Sequence, residues 1–256
     1  MNTTPRKAAF AAQDDHPPPT TSGRFIESGR RPRPLMRRYH VAWIADEGVV
    51  REFSRIAPAT PAFEAAFACL GYGSQIQTSE GWIAIEDLLP GDRVLTSDGI
   101  EARVTWIGTM NIVPRAPNQC EDMGTLTRLT EGCIGPCRPA SDLLLGPHAR
   151  LLHRSSDGTP LKLRPARDQI DGETIVQVTP PTPVQAFQIS VGYHAAIIAN
   201  GIDVETFHPG SPEPADLPDE FRSLYRALFP QVSDLESFGP LRWPRMDTRP
   251  DLYGAA

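Results

Sequence analysis

Through most of this chain, apolar and polar residues alternate over short stretches that glycine-containing turns divide. Tyr39, Val41 and Trp43 fall on one face of a run ending at Ile44, the period of a half-buried strand. Asp46-Glu47-Gly48 turns the chain, and Val49 to Phe53 returns as the second strand of a hairpin. The period then changes. Thr60-Pro61 places an N-cap residue before a proline at the first helical position, and Phe63, Phe67 and Leu70 follow at i, i+4 and i+7. This spacing predicts a short helix that runs into Cys69.

Beyond Ile76 the chain reads as many short strands. Ser79-Glu80-Gly81, Pro90-Gly91-Asp92, Ser97-Asp98-Gly99, Asp157-Gly158, Asp171-Gly172 and Asn200-Gly201 are its turns. Between them lie Arg93 to Thr96, Val104 to Ile107 and Thr174 to Val178, all rich in strand formers. Ile85 to Leu88 is the exception and predicts a single helical turn. After Pro209 the pattern becomes helical again. Asp219 and Glu220 open a helix, Phe221, Leu224, Leu228 and Phe229 form its apolar stripe, and Pro230 stops it. This helix is expected to pack back on the β structure. Residues 231–256 read as loosely ordered, with Phe238, Leu241 and Trp243 as anchors.

Composition adds bounds. Twenty-seven prolines among 256 residues is about twice the usual share. Many lie before residue 40 and after residue 208, so irregular ends are expected. Residues 1–37 carry Pro17-Pro18-Pro19 and Arg30-Arg31-Pro32-Arg33-Pro34 without a hydrophobic period, and predict a disordered tail. A net charge of -6 gives no bulk basic field for nucleic acid. No apolar run approaches the ~20 residues of a membrane span, and no secretory signal is visible, so a cytoplasmic location is the default expectation. Four cysteines are too few for a disulfide scaffold. Cys120, Cys133, Cys137 and His148 do not follow a recognised zinc spacing, and loop cysteines without a ligand are the better reading. Phosphate-binding loops, nucleophile elbows and His-Glu-x-x-His are missing from the sequence, so no cofactor is implied.

Three segments stand apart. Cys69-Leu70-Gly71-Tyr72-Gly73-Ser74-Gln75-Ile76 is the first, and Ile83-Ala84-Ile85-Glu86-Asp87-Leu88-Leu89-Pro90-Gly91-Asp92-Arg93-Val94-Leu95 is the second. The third holds Val184 to Ser190, His194, and Ile197-Ile198-Ala199-Asn200-Gly201-Ile202. Together they resemble the hedgehog/intein (Hint) family, over roughly Cys69 to Thr206. The layout is similar to that of standalone bacterial proteins of the second Hint family, whose biological role is largely undefined. The resemblance implies a pseudo-symmetric β horseshoe in which a leading cysteine attacks the peptide bond before it. Here that residue is Cys69 and the bond Ala68-Cys69. A thiol suits such a step, because its thiolate is strongly nucleophilic and leaves well. The bland alternative is a small buried apolar residue.

The same resemblance exposes departures. The family carries an activating histidine in a Thr-x-x-His or Ser-Pro-x-His arrangement, which polarises the scissile amide and protonates the departing amine. Over Asp142 to Leu152, Gly146 holds the threonine or serine place and Ala149 the histidine place, with His148 one residue early. A one-residue shift in a strand sends a side chain to the opposite face, so His148 is expected to face solvent or a turn, away from Cys69. His194 stands where the family has a histidine before an apolar strand. It either assists near the bond or is a core histidine bonded to a carbonyl. Asn200-Gly201 reads as a type I′ turn. Aligned on it, Glu205-Thr206 occupies the place of the terminal His-Asn of splicing inteins, which excludes protein splicing.

The expected organisation is a tail over 1–37, a hairpin and short helix over 38–68, a Hint-like β domain over 69–207, and a C-terminal helix and tail over 208–256. Two functions remain. One is a degenerate, non-splicing scaffold that acts as a binding or structural module, with a protein as the candidate partner; the other is single-turnover self-cleavage through a thioester at Ala68-Cys69. Cys69, His148 and His194 are the candidate site residues. Loss of the activating pair costs about 10²–10⁴ in rate, which favours the scaffold and a chain that is not an enzyme.

Overall fold

The computed structural model describes residues 35–45, 47–153, 160–210, 217 and 219–246. The expected tail lies, as far as residue 34, outside the described residues, as do Asp46, Pro218 and residues 247–256. The chain is mostly β. The strands are β1 (Met36–Ile44), β2 (Val50–Pro58), β3 (Leu70–Gly71), β4 (Gln75–Thr78), β5 (Gly81–Ala84), β6 (Arg93–Leu95), β7 (Glu101–Arg103) and β8 (Trp106–Ile112). There follow β9 (Leu126–Leu129), β10 (Leu143–Leu145), β11 (Arg150–His153), β12 (Lys162–Pro165), β13 (Ile175–Val178), β14 (Val184–Ser190), β15 (Ala196–Ala199) and β16 (Ile202–Glu205). The helices are α1 (Pro61–Glu64) and α2 (Asp219–Arg226). Ile85–Asp87 forms the single turn expected there, as 3₁₀ helix.

Two open sheets carry the fold. The larger runs β13-β9-β10-β3-β14-β8-β1-β2 and the smaller β12-β11-β16-β15-β4-β5, while β6 and β7 pair by themselves. The N-terminal hairpin is not an appendage. β1 pairs with β2 from Met36↔Pro58 to Ile44↔Val50, and with β8 from Tyr39↔Met110 to Trp43↔Trp106. It therefore extends the large sheet, and β2 runs beyond the expected Phe53 to Pro58.

Helix α1 is shorter than the i, i+4, i+7 spacing predicts. Its last regular residue is Glu64, and a turn carries the chain through Phe67. Leu70 is claimed by the sheet instead, because β3 lies between β10 and β14, paired Leu70↔Leu145 and Phe187↔Leu70. Arg37 fixes this corner. Its guanidinium donates to the buried Glu64 carboxylate, to the Asn111 carbonyl at 2.6 Å and to Gln119 Oε1 at 2.6 Å. Burial pushes the Glu64 carboxyl up to about 7, against the opposing pull of Arg37.

Two large apolar cores result among the described residues. One packs Cys69, Leu70, Ile76, Val94, Leu145, Ile189, Ile197 and Val204 between the sheets. The other is aromatic and joins the hairpin to the C-terminal segment through Tyr39, Phe63, Phe67, Trp106, Phe207, Tyr225 and Phe229. Trp106 stands among Phe67 at 5.4 Å, Phe207 at 5.6 Å and Phe229 at 5.4 Å, and its indole N–H donates to the Leu228 carbonyl at 2.9 Å. Helix α2 thus packs on the β structure as expected, although Tyr225 is its buried residue and Phe221 and Leu224 are half-buried. Of the three expected anchors, Phe238 and Trp243 are buried and Leu241 is exposed. Among the described residues no helix is long and apolar enough to cross a membrane.

Gly108 lies beneath these rings: a Cβ there would meet the Trp106 ring at 2.2 Å and Phe67 at 2.6 Å. Gly108→Ala is expected to destabilise the protein by about 1–3 kcal/mol through overpacking. Urea unfolding midpoints of the two proteins measure it, and an unchanged midpoint would contradict this packing.

Candidate functional site

Cys69 enters the sheet directly from the turn after α1. The Ala68 N–H donates back to the Glu64 carbonyl at 2.8 Å, so the residue before the candidate bond is held in a helical turn. The Cys69 N–H donates to the Phe187 carbonyl at 3.2 Å, and the Cys69 carbonyl accepts from Gly146 N–H at 2.6 Å. The N–H of the Ala68-Cys69 peptide and the peptides on either side of it are therefore engaged by main chain. The Cys69 side chain is 1% exposed. Its Sγ lies 3.9 Å from the Glu205 carbonyl, the direction in which a thiol S–H would donate. Burial raises this thiol far above its usual range, the Glu205 charge adds to that, and Arg150 and a hydrogen bond with Gln188 oppose it without prevailing. The group is a protonated thiol at neutral pH.

Gly146 follows β10 and rests on this same peptide. A Cβ built on it would stand 2.3 Å from the Ala68 carbonyl oxygen, 2.6 Å from the Ala68 carbonyl carbon and 3.1 Å from Cys69 N. No side chain fits where the Hint pattern has threonine or serine. Gly146-Pro147-His148-Ala149 is a turn closed by Ala149 N–H to the Gly146 carbonyl at 3.1 Å. Ala149 is buried in the core, and His148, in the turn, puts Nε2 3.1 Å from Met123 Sδ. Burial, reinforced by the nearby charges of Arg150 and Arg167, pushes the His148 imidazole down to about 3. The sequence leads one to expect this histidine at a turn or in solvent; the turn is there, and the ring is turned inward against a thioether.

His194 lies between β14 and β15, 2% exposed. Its Nδ1 accepts the Arg242 main-chain N–H at 2.7 Å, and its Nε2 faces Glu205 Oε1 at 2.7 Å. A main-chain N–H only donates, so Nδ1 carries the lone pair and Nε2 the proton that Glu205 accepts. Both nitrogens are engaged, and the partner is a carboxylate and a main-chain N–H rather than a carbonyl. Glu205 gathers more. Arg245 Nε donates to Oε1 at 2.8 Å, and Arg150 Nη1 lies 3.7 Å from Oε2. Burial pushes the Glu205 carboxyl up, but the His194 hydrogen bond and the charges of Arg245 and Arg150 outweigh it and hold the group below the usual carboxylate range.

Cys69 and His194 thus meet through one residue, the first at the Glu205 carbonyl and the second at its carboxylate. His148 stands with Met123 instead. The sequence reading names Glu205 only for its place near the end of the domain, and Arg245 and Arg150 escaped it. A signal for Glu205 existed, an acid in an apolar strand, since a buried carboxylate needs cationic partners. The arginine that meets it lies 40 residues on, in a segment read as loosely ordered.

Asn200-Gly201 joins β15 to β16 with φ of 48° and 84°, as a type I′ turn requires. Asn200 Oδ1 accepts from Gln75 N–H at 2.7 Å and Nδ2 donates to Ser141 Oγ at 2.9 Å, so the side chain is a buried tie. Cys120 and Cys137 are exposed and Cys133 is half-buried. Among the described residues no cluster of His, Cys, Asp and Glu could hold a metal ion.

Residues 68–211, more than half of the chain, match the family model described as Hint domain, and the chain belongs to that family. Solved structures similar to it include a bacterial intein-like domain from Clostridium thermocellum, at 13% identity and a TM-score of 0.39, covering 55% of this chain and 99% of that one. The MchDnaB-1 intein is similar at 16% identity and a TM-score of 0.35, covering 54% and 99%. The Msm DnaB1 intein splicing domain bound with zinc is similar at 15% identity and a TM-score of 0.34, covering 54% and 99%. No curated protein matches.

The lowered Glu205 carboxyl sets a pH dependence. A carboxylate held below its unfolded value, ordinarily about 4.3, contributes stability that is present above that pH and is lost as pH falls through the folded value. Glu205→Gln is expected to cost about 3 kcal/mol or more at pH 7, because it leaves the arginines without their buried partner. The cost should shrink steadily below about pH 4.3. Urea midpoints of both proteins at pH 7 and at acid pH test this; a pH-independent gap would mean that folding leaves the Glu205 carboxyl unshifted.

Proposed function

We propose that this protein is a degenerate, non-splicing Hint scaffold, over about residues 69–207, that keeps its chain intact and serves as a binding or structural module. The observation that carries the reading is the close approach of Gly146 to the Ala68-Cys69 peptide. Main-chain acyl transfer needs a thiolate, a distorted amide and an acid at the departing nitrogen. Cys69 offers a buried thiol. The amide is pinned at Cys69 N by Phe187 and follows a helical turn. Gly146 and Ala149 supply no acid, His148 is turned to Met123, and His194 spends both nitrogens on Arg242 and Glu205. In this reading Cys69, His148 and His194 are structural residues. The competing reading, self-cleavage before Cys69, retains a cysteine in the family position but lacks room beside the bond for the group that would activate it.

The protein is expected to purify as one chain of 28.1 kDa and to stay so with excess dithiothreitol or hydroxylamine. Intact mass spectrometry reads the outcome. Fragments ending at Ala68 and starting at Cys69, abolished by Cys69→Ala, would replace the scaffold reading with autoprocessing. Gly146→Thr, which restores the family residue, should not restore cleavage and should cost about 1–3 kcal/mol or more, since the clash is with main chain. A Gly146→Thr protein that is as stable as the wild type would show that the peptide can move aside.

A further inference from the structure

Residues Arg242 to Met246 lie against the outer side of β12, one of the two edge strands of the smaller sheet. The Leu163 N–H donates to the Pro244 carbonyl at 3.0 Å and the Met246 N–H to the Leu163 carbonyl at 2.8 Å, a parallel bridge centred on Arg245. Exposure alternates along the segment as in a strand: Arg242, Pro244 and Met246 face out, Trp243 and Arg245 face in. Trp243 fills a pocket of Leu152, Leu163 and Ala196, with the His194 ring 5.6 Å away. Arg245 reaches Glu205 Oε1 and, through Nη2, the His208 carbonyl at 2.7 Å. Arg242 holds His194 by its main chain and Asp98 by its guanidinium at 2.8 Å.

These are the components of peptide recognition by strand addition: main-chain bonds to a sheet edge, and pockets for alternate side chains. A pocket for an aromatic ring is followed, two residues on, by a buried acid for a guanidinium. We infer that the edge of β12, with His194 and Glu205, is a peptide-docking groove for an extended segment of the form aromatic-x-Arg. Residues 242–246 are its resident occupant in cis. The inference names the ligand class of the binding module proposed above and rests on that reading. An incoming peptide must displace the cis segment, whose tethering acts as a high effective concentration, so the intact chain binds one only weakly.

The test uses the full chain carrying Trp243→Ala and Arg245→Ala together, which vacates both pockets. A fluorescent peptide of residues 240–246 is titrated by anisotropy into this protein and into the wild type. The expected result is a Kd at least about tenfold lower for the double variant, because its groove is no longer occupied. A peptide with alanine at both anchor positions should not bind, and adding Glu205→Gln to the double variant should abolish binding. A folded double variant that binds the two peptides alike, or neither, overturns the proposal. Should circular dichroism show the double variant unfolded, amide hydrogen exchange of the wild type decides. Exchange of Met246 and Leu163 together, well ahead of the β15–β16 amides, supports a displaceable segment; exchange only with global unfolding overturns it. Intact mass is recorded on every sample, so that cleavage at Ala68-Cys69 would refute the scaffold while leaving the groove measurement standing.

Discussion

Main chain pressed against main chain, with no side chain between, is the constraint on which this fold turns. Residues 68–71 and 144–146 approach so closely that a Cβ on Gly71 would meet Leu144 Cβ and its carbonyl oxygen, each at 2.9 Å, and one on Gly146 would meet the Ala68 carbonyl. The two-residue strand β3 can then fill the gap between β10 and β14 and make the eight-stranded sheet continuous. Glycine is required at both places for space rather than for a special φ. The same closeness buries Cys69 and seals the peptide before it. Space beside the Ala68-Cys69 peptide and continuity of the sheet meet at this one position, and glycine at 146 leaves the sheet unbroken.

The polar counterpart is Glu205. Burying a lone carboxylate is costly, and partners offset the cost only when they are close and well aimed. Here His194 comes from the loop before β15, Arg150 from β11 and Arg245 from the C-terminal segment, so one charge ties together three parts of the chain. Fixing His194 from both sides also fixes its tautomer. Held between a carboxylate and a main-chain N–H, the His194 ring joins the loop before β15 to the C-terminal segment.

Much of the fold is legible from local pattern. The alternation at Tyr39, Val41 and Trp43, the Asn200-Gly201 turn and the single turn at Ile85 report local preferences that the tertiary structure leaves alone. Where the sequence misleads, a non-local contact overrides the local one. Phe63, Phe67 and Leu70 have helical spacing, but Leu70 gains two neighbouring strands by leaving the helix. Strand β2 outruns its apolar pattern because β1 already begins at Met36, and the two stay paired as far as Met36↔Pro58. The site was legible in part. Cys69 and His194 stand out by position, but nothing within a few residues of Glu205 announces Arg245, and Gly146 reads as a missing threonine rather than as a contact.

Gly146 and Arg245 close the Cys69–Glu205 region from two sides. The first presses on the bond that a Hint cysteine would attack, and the second occupies the acid beside which His194 is held. Their closures differ in kind. Gly146 is bounded by covalent backbone that cannot rotate aside, whereas Arg242 to Met246 is held by two main-chain bonds, two seated side chains and the links from Arg242. Opening the first would require the sheet to part at β3; opening the second requires only a short edge segment to leave. A Hint scaffold that keeps any responsive surface would therefore keep it at the edge of β12.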